Sequence, residues 1–269
     1  MRISALDCLI RGFLNGGARN KNAEPEGALA PGNAAPLEFV DLFNGAAPAT
    51  FPVRRYSSSQ MNFTLPLIYP ITDKQIARRS THFSIVRELV RGGARFVQIR
   101  DKSTPVRDLL YDLMRCTEFA SAKGVTLIVN DRCDLVLSAG VMGVHLGQHD
   151  LPPEAAREIL GADRIVGLST HSLSQVRDSN GRPVHYIGFG PVYGTSTKEN
   201  ALPAVGLRRL ANACRVSSRP VVAIGGIGPG QIREVLCAGA ASAAVISALM
   251  SAKDLARRME FLLRKATGK

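Results

Sequence analysis

The chain has 269 residues, of which 45% are apolar and 21% charged; it lacks tryptophan and carries a net charge of +12. These proportions exclude a chain disordered throughout, and no uncharged apolar run reaches the ~18 residues that a membrane-crossing helix needs. Five cysteines, at positions 8, 116, 133, 214 and 237, form no Cys-x-x-Cys pair. That argues against a disulfide framework or zinc cluster and for a reducing, cytoplasmic setting.

Residues 1–60 carry six basic and five acidic side chains and are rich in Gly, Ala, Asn and Pro at 15–17, 20–25 and 27–36. No helical or strand period persists there, so the segment reads as a largely unstructured extension. Asp7 and Arg11 interrupt its first apolar stretch, which is poor for a secretory signal. Met61 stands just before the first strong strand, and a native start there is the alternative to a genuine extension. Residues 61–269 hold 28 basic and 17 acidic side chains, an excess that suits an anionic partner, either a phosphorylated metabolite or nucleic acid. A basic solvated surface explains the same number.

From residue 65 strand and helix alternate. Short β-rich apolar runs occupy 65–72, 96–100, 126–130, 143–146, 165–169, 186–190, 221–225 and 243–247. Amphipathic segments lie at 83–91, 105–123, 153–160, 206–215, 230–238 and 252–265, and the second of these puts Val106, Leu109, Leu110, Leu113 and Met114 mostly on one stripe. Pro105, Pro152–Pro153 and Pro229 stand near helix starts and Gly124, Gly140, Gly161 and Gly239 near helix ends. Near-continuous apolar strands signal a parallel sheet covered on both faces. Eight such units within one α/β domain predict a (β/α)8 TIM barrel over 61–269. A doubly wound open sheet is the alternative, but no GxGxxG follows the first strand.

In barrels the C-terminal strand ends carry the chemistry. Here they deliver Gln98–Ile99–Arg100–Asp101–Lys102, Asn130–Asp131, Gly147–Gln148–His149–Asp150, Ser169–Thr170–His171, Thr195–Ser196–Thr197–Lys198, Gly225–Gly226 and Ser247 to one rim. Singly, each has a plain structural explanation: loop charges, a turn, or a helix cap for Asn130–Asp131. Together they suit phosphate handling. Asp131 and Asp150 are hard oxygen ligands on adjacent strands, as Mg²⁺ takes alongside substrate phosphates and waters. Arg100, Lys102 and Lys198 supply positive charge, and Gly225–Gly226 with Ser247 form the usual phosphate cradle after strands seven and eight. His145 reads as a packed barrel residue, His149 points away by strand alternation, and Cys133 and Cys237 read as helix core. Nothing supports a covalent nucleophile.

The runs Gln98–Ile99–Arg100–Asp101–Lys102, Val129–Asn130–Asp131–Arg132, Gly143–Val144–His145–Leu146–Gly147–Gln148–His149–Asp150, Gly188–Phe189–Gly190–Pro191–Val192–Tyr193, Ala223–Ile224–Gly225–Gly226–Ile227 and Val245–Ile246–Ser247–Ala248 resemble the thiamine-phosphate synthase family, in the same order and over residues 65–266. The resemblance implies a transferase that couples hydroxymethylpyrimidine diphosphate to thiazole phosphate, giving thiamine phosphate and pyrophosphate in a Mg²⁺-assisted dissociative substitution. It implies that Gln98, Ile99, Arg100, Asp101, Lys102 and Asn130 bind the pyrimidine diphosphate and that Asp131 and Asp150 hold Mg²⁺. Ser169, Arg100 and Lys198 would serve the departing pyrophosphate, and Thr195, Ser196, Thr197, Gly226, Ile246 and Ser247 the thiazole phosphate. His149 and Asp101 stand where the family commonly has Glu, and Val141–Met142–Gly143 where it has Ala-Asp-Gly. The alternatives are a thiazole tautomerase on the same barrel and a non-catalytic binder of phosphorylated ligands. A nucleic-acid partner is disfavoured because no aromatics interleave with the basic residues; no membrane partner is expected, and a homo-oligomer stays open.

Overall fold

Side chains on a strand alternate between its two faces, and in this chain both faces are apolar. The computed structural model describes residues 64–195 and 202–268, so the expected 1–60 extension and its boundary lie outside the described residues. Eight strands form one parallel sheet: β1 (Ile68–Pro70), β2 (Phe96–Ile99), β3 (Thr126–Asn130), β4 (Gly143–Leu146), β5 (Ile165–Thr170), β6 (Tyr186–Phe189), β7 (Val221–Ala223) and β8 (Ser242–Val245). Neighbours pair in sequence order and β8 pairs with β1. A single parallel bridge between Ile71 and Gln98, with Thr72 N–H donating to the Gln98 carbonyl at 2.8 Å, joins β1 to β2 and completes the ring. The TIM barrel is therefore closed, and the open-sheet alternative falls.

The helices are α1 (Lys74–Ala77), α2 (His82–Arg91), α3 (Val106–Ala122), α4 (Cys133–Ala139), α5 (Pro153–Leu160), α6 (Leu173–Ser179), α7 (Gly206–Val216), α8 (Ile232–Cys237), α9 (Ser247–Met250) and α10 (Leu255–Thr267). Short polar residues fix several starts. The Thr81 hydroxyl accepts from Ser84 N–H before α2, and Ser172 and Asp254 do the same for α6 and α10; each cap contributes about 1 kcal/mol. Five of the described helices, α1, α4, α6, α8 and α9, are seven residues or shorter, and of these the sequence pattern identified only α8. Ser247, expected to end strand eight, instead opens α9. None of the described helices is long and apolar enough to cross a membrane.

Two apolar layers result. Outward residues such as Ile68, Val97, Ile99, Val129, Val144, Leu168, Ile187 and Val245 pack against the helices. Inward residues Tyr69, Ile71, Phe96, Ile128, Ile165, Tyr186, Val222 and Ala244 fill the barrel. Cys133 is buried as expected, but Cys237 is exposed at the last turn of α8, because that helix presents it to solvent rather than to the barrel.

Candidate active site

A cleft opens over the C-terminal strand ends, and it has two lobes that share Ser169, Gly188, Ile224, Ala244 and Ile246. The outer lobe, about 190 Å³, lies over β5–β8 and is lined by Thr170, His171, Thr195, Gly225, Gly226 and Ser247 among others. The inner lobe is a slot of about 30 Å³ that descends between Gln98, Arg100, Asn130, His145 and Tyr69. Polar groups thus line the walls while Ile224, Ala244 and Ile246 form an apolar strip between them, the composition expected of a small-ligand site.

Among the described residues, most of those expected line the cleft, but Lys102 is exposed and lines neither lobe. Gln98, Asn130 and Ser169 reach the cleft from β2, β3 and β5. Arg100 lies just past β2 with its guanidinium 3.6 Å from the Asp73 carboxylate, and its backbone N–H donates to the Thr72 hydroxyl at 3.3 Å. Thr195, Gly226, Ile246 and Ser247 line the outer lobe. Gly226 has φ +63, and a Cβ there would sit 2.8 Å from the Tyr193 Cβ and press on the Gly194 carbonyl. A side chain would therefore push away the Tyr193–Gly194 backbone packed against it. Ser196, Thr197 and Lys198 lie outside the described residues.

Two members of the expected set face elsewhere. Ile99 alternates outward and is buried against the helices, so only its backbone remains near the cleft. The Asp101 carboxylate turns toward α1 and α2. His82 Nε2 lies 2.9 Å from it, Lys74 Nζ 3.2 Å, and the Thr104 hydroxyl and the Ser103 and Thr104 amides donate to it. Burial opposes ionisation of Asp101, but His82 and these donors outweigh it and hold the carboxyl far below the usual carboxylate range. Its role is to pin the loop that carries Arg100 and Lys102. His82 extends that function, since its Nδ1 bonds the Thr72 hydroxyl at 2.8 Å.

The acidic pair converges. Asp131 follows β3 with φ +67, a conformation Asp tolerates better than most residues, and its N–H donates to the His145 carbonyl at 2.8 Å. It does not cap α4, whose N-cap position is Arg132 and lacks a side-chain cap. The Asp150 carboxylate accepts from Gly147 N–H at 2.6 Å, and a Cβ on Gly147 would lie 2.8 Å from its Oδ2. The Asp131 and Asp150 carboxyls come close enough to interact directly. Burial first, then the neighbouring Asp150 carboxyl, push the Asp131 carboxyl from 3.8 up to about 6, while Lys102 and Arg100 pull it down. Two carboxylates this close are short of positive charge between them. No third His, Cys, Asp or Glu joins them among the described residues, so the donor set fits a hard cation that completes its shell with phosphate and water oxygens.

His145, expected as a packed barrel residue, and His171, expected at the rim, both reach the cleft. His145 stands inward on β4, with Nδ1 3.0 Å from the Tyr186 hydroxyl and Nε2 2.9 Å from Ser169 Oγ. His171 lines the outer lobe, and its Nδ1 lies 2.7 Å from the Gly190 carbonyl oxygen. His149 is exposed and absent from both linings, as alternation predicts.

Comparison with known proteins follows this geometry. A family profile described as thiamine monophosphate synthase matches residues 68–249. Thiamine-phosphate synthase of Synechococcus sp. (strain CC9605) is 42% identical over 180 residues, covering 67% of this chain and 51% of that protein, so this chain spans about half the length of that relative. The enzyme of the same description from Albidiferax ferrireducens is 41% identical over 70% of this chain and 85% of its own length. Among solved structures, thiamine phosphate pyrophosphorylase from Pyrococcus furiosus superposes with a TM-score of 0.68 at 33% identity, covering 75% of this chain and 95% of that one. The chain belongs to the thiamine monophosphate synthase family.

Proposed function

We propose that this protein is a thiamine-phosphate synthase that joins hydroxymethylpyrimidine diphosphate to thiazole phosphate and releases pyrophosphate. The observation that carries the reading is the two-lobed cleft with facing carboxylates, Asp131 and Asp150, beside its inner lobe. A divalent cation such as Mg²⁺, held by these two carboxylates, would neutralise charge on the departing pyrophosphate.

The chain's own groups divide the remaining work. Gln98 and Asn130 orient the pyrimidine in the inner slot. Arg100, Lys102, Ser169 and Lys198 hold the diphosphate and stabilise the charge that grows as the C–O bond breaks. The electron pair leaves with pyrophosphate, and the pyrimidinylmethyl cation is captured by the lone pair of the thiazole nitrogen, so no protein base or nucleophile is required. Thr195, Ser196, Thr197, Gly226, Ile246 and Ser247 place the thiazole phosphate in the outer lobe. The apolar strip between the lobes excludes water that would otherwise quench the cation. A thiazole tautomerase would have no use for the acidic pair.

The test is direct. Incubation with both substrates and Mg²⁺ yields a product with the mass of thiamine phosphate, and Asp150→Ala abolishes it. Turnover of thiazole phosphate alone, with no coupled product, would assign the tautomerase activity instead.

A further inference from the structure

The interior of a barrel is filled most simply by aliphatic side chains, yet here an unbroken polar chain crosses it. Gln98 Nε2 donates to the Tyr69 hydroxyl at 2.9 Å. The Tyr69 and Tyr186 hydroxyls are 2.7 Å apart. Tyr186 meets His145 Nδ1 at 3.0 Å, and His145 Nε2 meets Ser169 Oγ at 2.9 Å. Both ends of this chain, Gln98 and Ser169, line the cleft, and Tyr186 lies beneath it, fully buried.

The sheet is built to admit the chain. The register sets His145 opposite Gly167 and Gly167 opposite Tyr186. A Cβ on Gly167 would lie 2.5 Å from the Tyr186 hydroxyl and 2.6 Å from His145 Nδ1. The residue between imidazole and phenol has no side chain, and the hydrogen bond fills the gap. A Cβ on Gly188 would likewise stand 3.3 Å from His145 Cε1.

Proton accounting gives the chain a direction. An amide N–H can only donate, so Tyr69 must accept from Gln98. The Tyr69 proton then goes to Tyr186, and the Tyr186 proton to His145 Nδ1. A neutral imidazole that accepts at Nδ1 carries its hydrogen on Nε2 and donates it to Ser169 Oγ. The serine oxygen then accepts from behind, so its own hydrogen is not spent on His145 and can be donated into the cleft. Burial raises both phenols above their ordinary range, so both stay neutral donors.

We propose that Tyr69, Tyr186 and His145 are positioning residues that fix the donor polarity of Ser169, so that its hydroxyl donates to the anionic ligand in the cleft. This rests on the reading above, in which Ser169 serves the leaving pyrophosphate.

Two measurements on the full chain test it. Nitrogen NMR of histidine-labelled protein, with His145 assigned by loss of its signals in His145→Gln, should show the Nε2–H tautomer at pH 8; an Nδ1–H tautomer overturns the proposal. The second is a double-mutant cycle on coupling rate. Tyr186→Phe, nearly equal in volume, should lower kcat/KM about 10-fold in the wild-type background, and less than about 2-fold when Ser169 is already Ala. Equal losses in both backgrounds would show that Tyr186 acts through general packing and would overturn the proposal. If no thiamine phosphate forms but the Nε2–H tautomer is found, the function assignment fails while the direction of the chain stands. Wild-type coupling with an Nδ1–H tautomer is the reverse.

Discussion

Asp131→Asn should make the protein more stable while removing its activity. A carboxyl raised from 3.8 to about 6 opposes folding at every pH above 6, because the folded state then holds a charge it disfavours more than the unfolded chain does. At about 1.4 kcal/mol per pH unit the shift amounts to about 3 kcal/mol, and partial solvent access reduces that to about 1–2 kcal/mol. Asn keeps the shape, can donate to Asp150, and is among the few residues that accept φ +67 without added strain. The gain should appear as a Tm higher by roughly 3–6 °C at pH 8 in the presence of a chelator. It should become small near pH 4, where folded Asp131 is protonated and the unfolded carboxyl is only partly ionised. Added Mg²⁺ should raise the wild-type Tm and leave the variant nearly unmoved. Scanning calorimetry across pH decides the matter: a variant less stable at pH 8, or an offset unchanged between pH 8 and pH 4, would refute the electrostatic argument.

Other residues give independent checks. Lys198→Ala should reduce kcat about 10²–10³-fold if it stabilises leaving-group charge; near-normal single-turnover rates would remove it from the site. Gly226→Ala should raise KM for thiazole phosphate about 10-fold with less effect on kcat, since its Cβ would displace the Tyr193–Gly194 backbone that leads into Thr195 of the outer lobe; an unchanged KM in steady-state assays would count against the cradle. His185 is held down to about 4 by burial first and then by Arg157 and Arg219. Its stabilising contribution is complete above pH 6.5, where neither state is protonated, and is lost as pH falls toward 4 because the unfolded chain binds the proton first. Partial exposure limits this to about 2 kcal/mol, and His185→Asn should flatten the pH 6.5–4 segment of the urea-unfolding profile. A chain beginning at Met61 should retain coupling activity, read by product mass.

Much of this was legible in the sequence, for identifiable reasons. The apolar strands and their spacing specify the barrel, and the rim residues follow from where parallel strands end. Short helices such as α4 and α6 were not legible, because seven residues span about two turns and too few apolar positions to set a period. Asp101 was misdirected because its neighbours in sequence belong to the cleft, whereas its partners His82 and Lys74 come from elements about 20 and 27 residues away. Ile99 followed the alternation rule, but the motif that contains it drew it into the site. The convergence of Asp131 with Asp150 was anticipated from adjacent strands. The tyrosine–histidine chain was not, since nothing local connects Tyr69 with Tyr186 across 117 positions.

The seam between β1 and β2 has a mechanical consequence. Seven of the eight strand junctions are ladders, whereas this one is held by the Ile71–Gln98 bridge and the bonds of Thr72. The closed ring therefore has one weak joint, at the strand that supplies Gln98 and Arg100. Amide exchange should be fastest along this line within the sheet. Any widening of the cleft should then concentrate at this one joint, while the seven laddered junctions keep the rest of the wall in place.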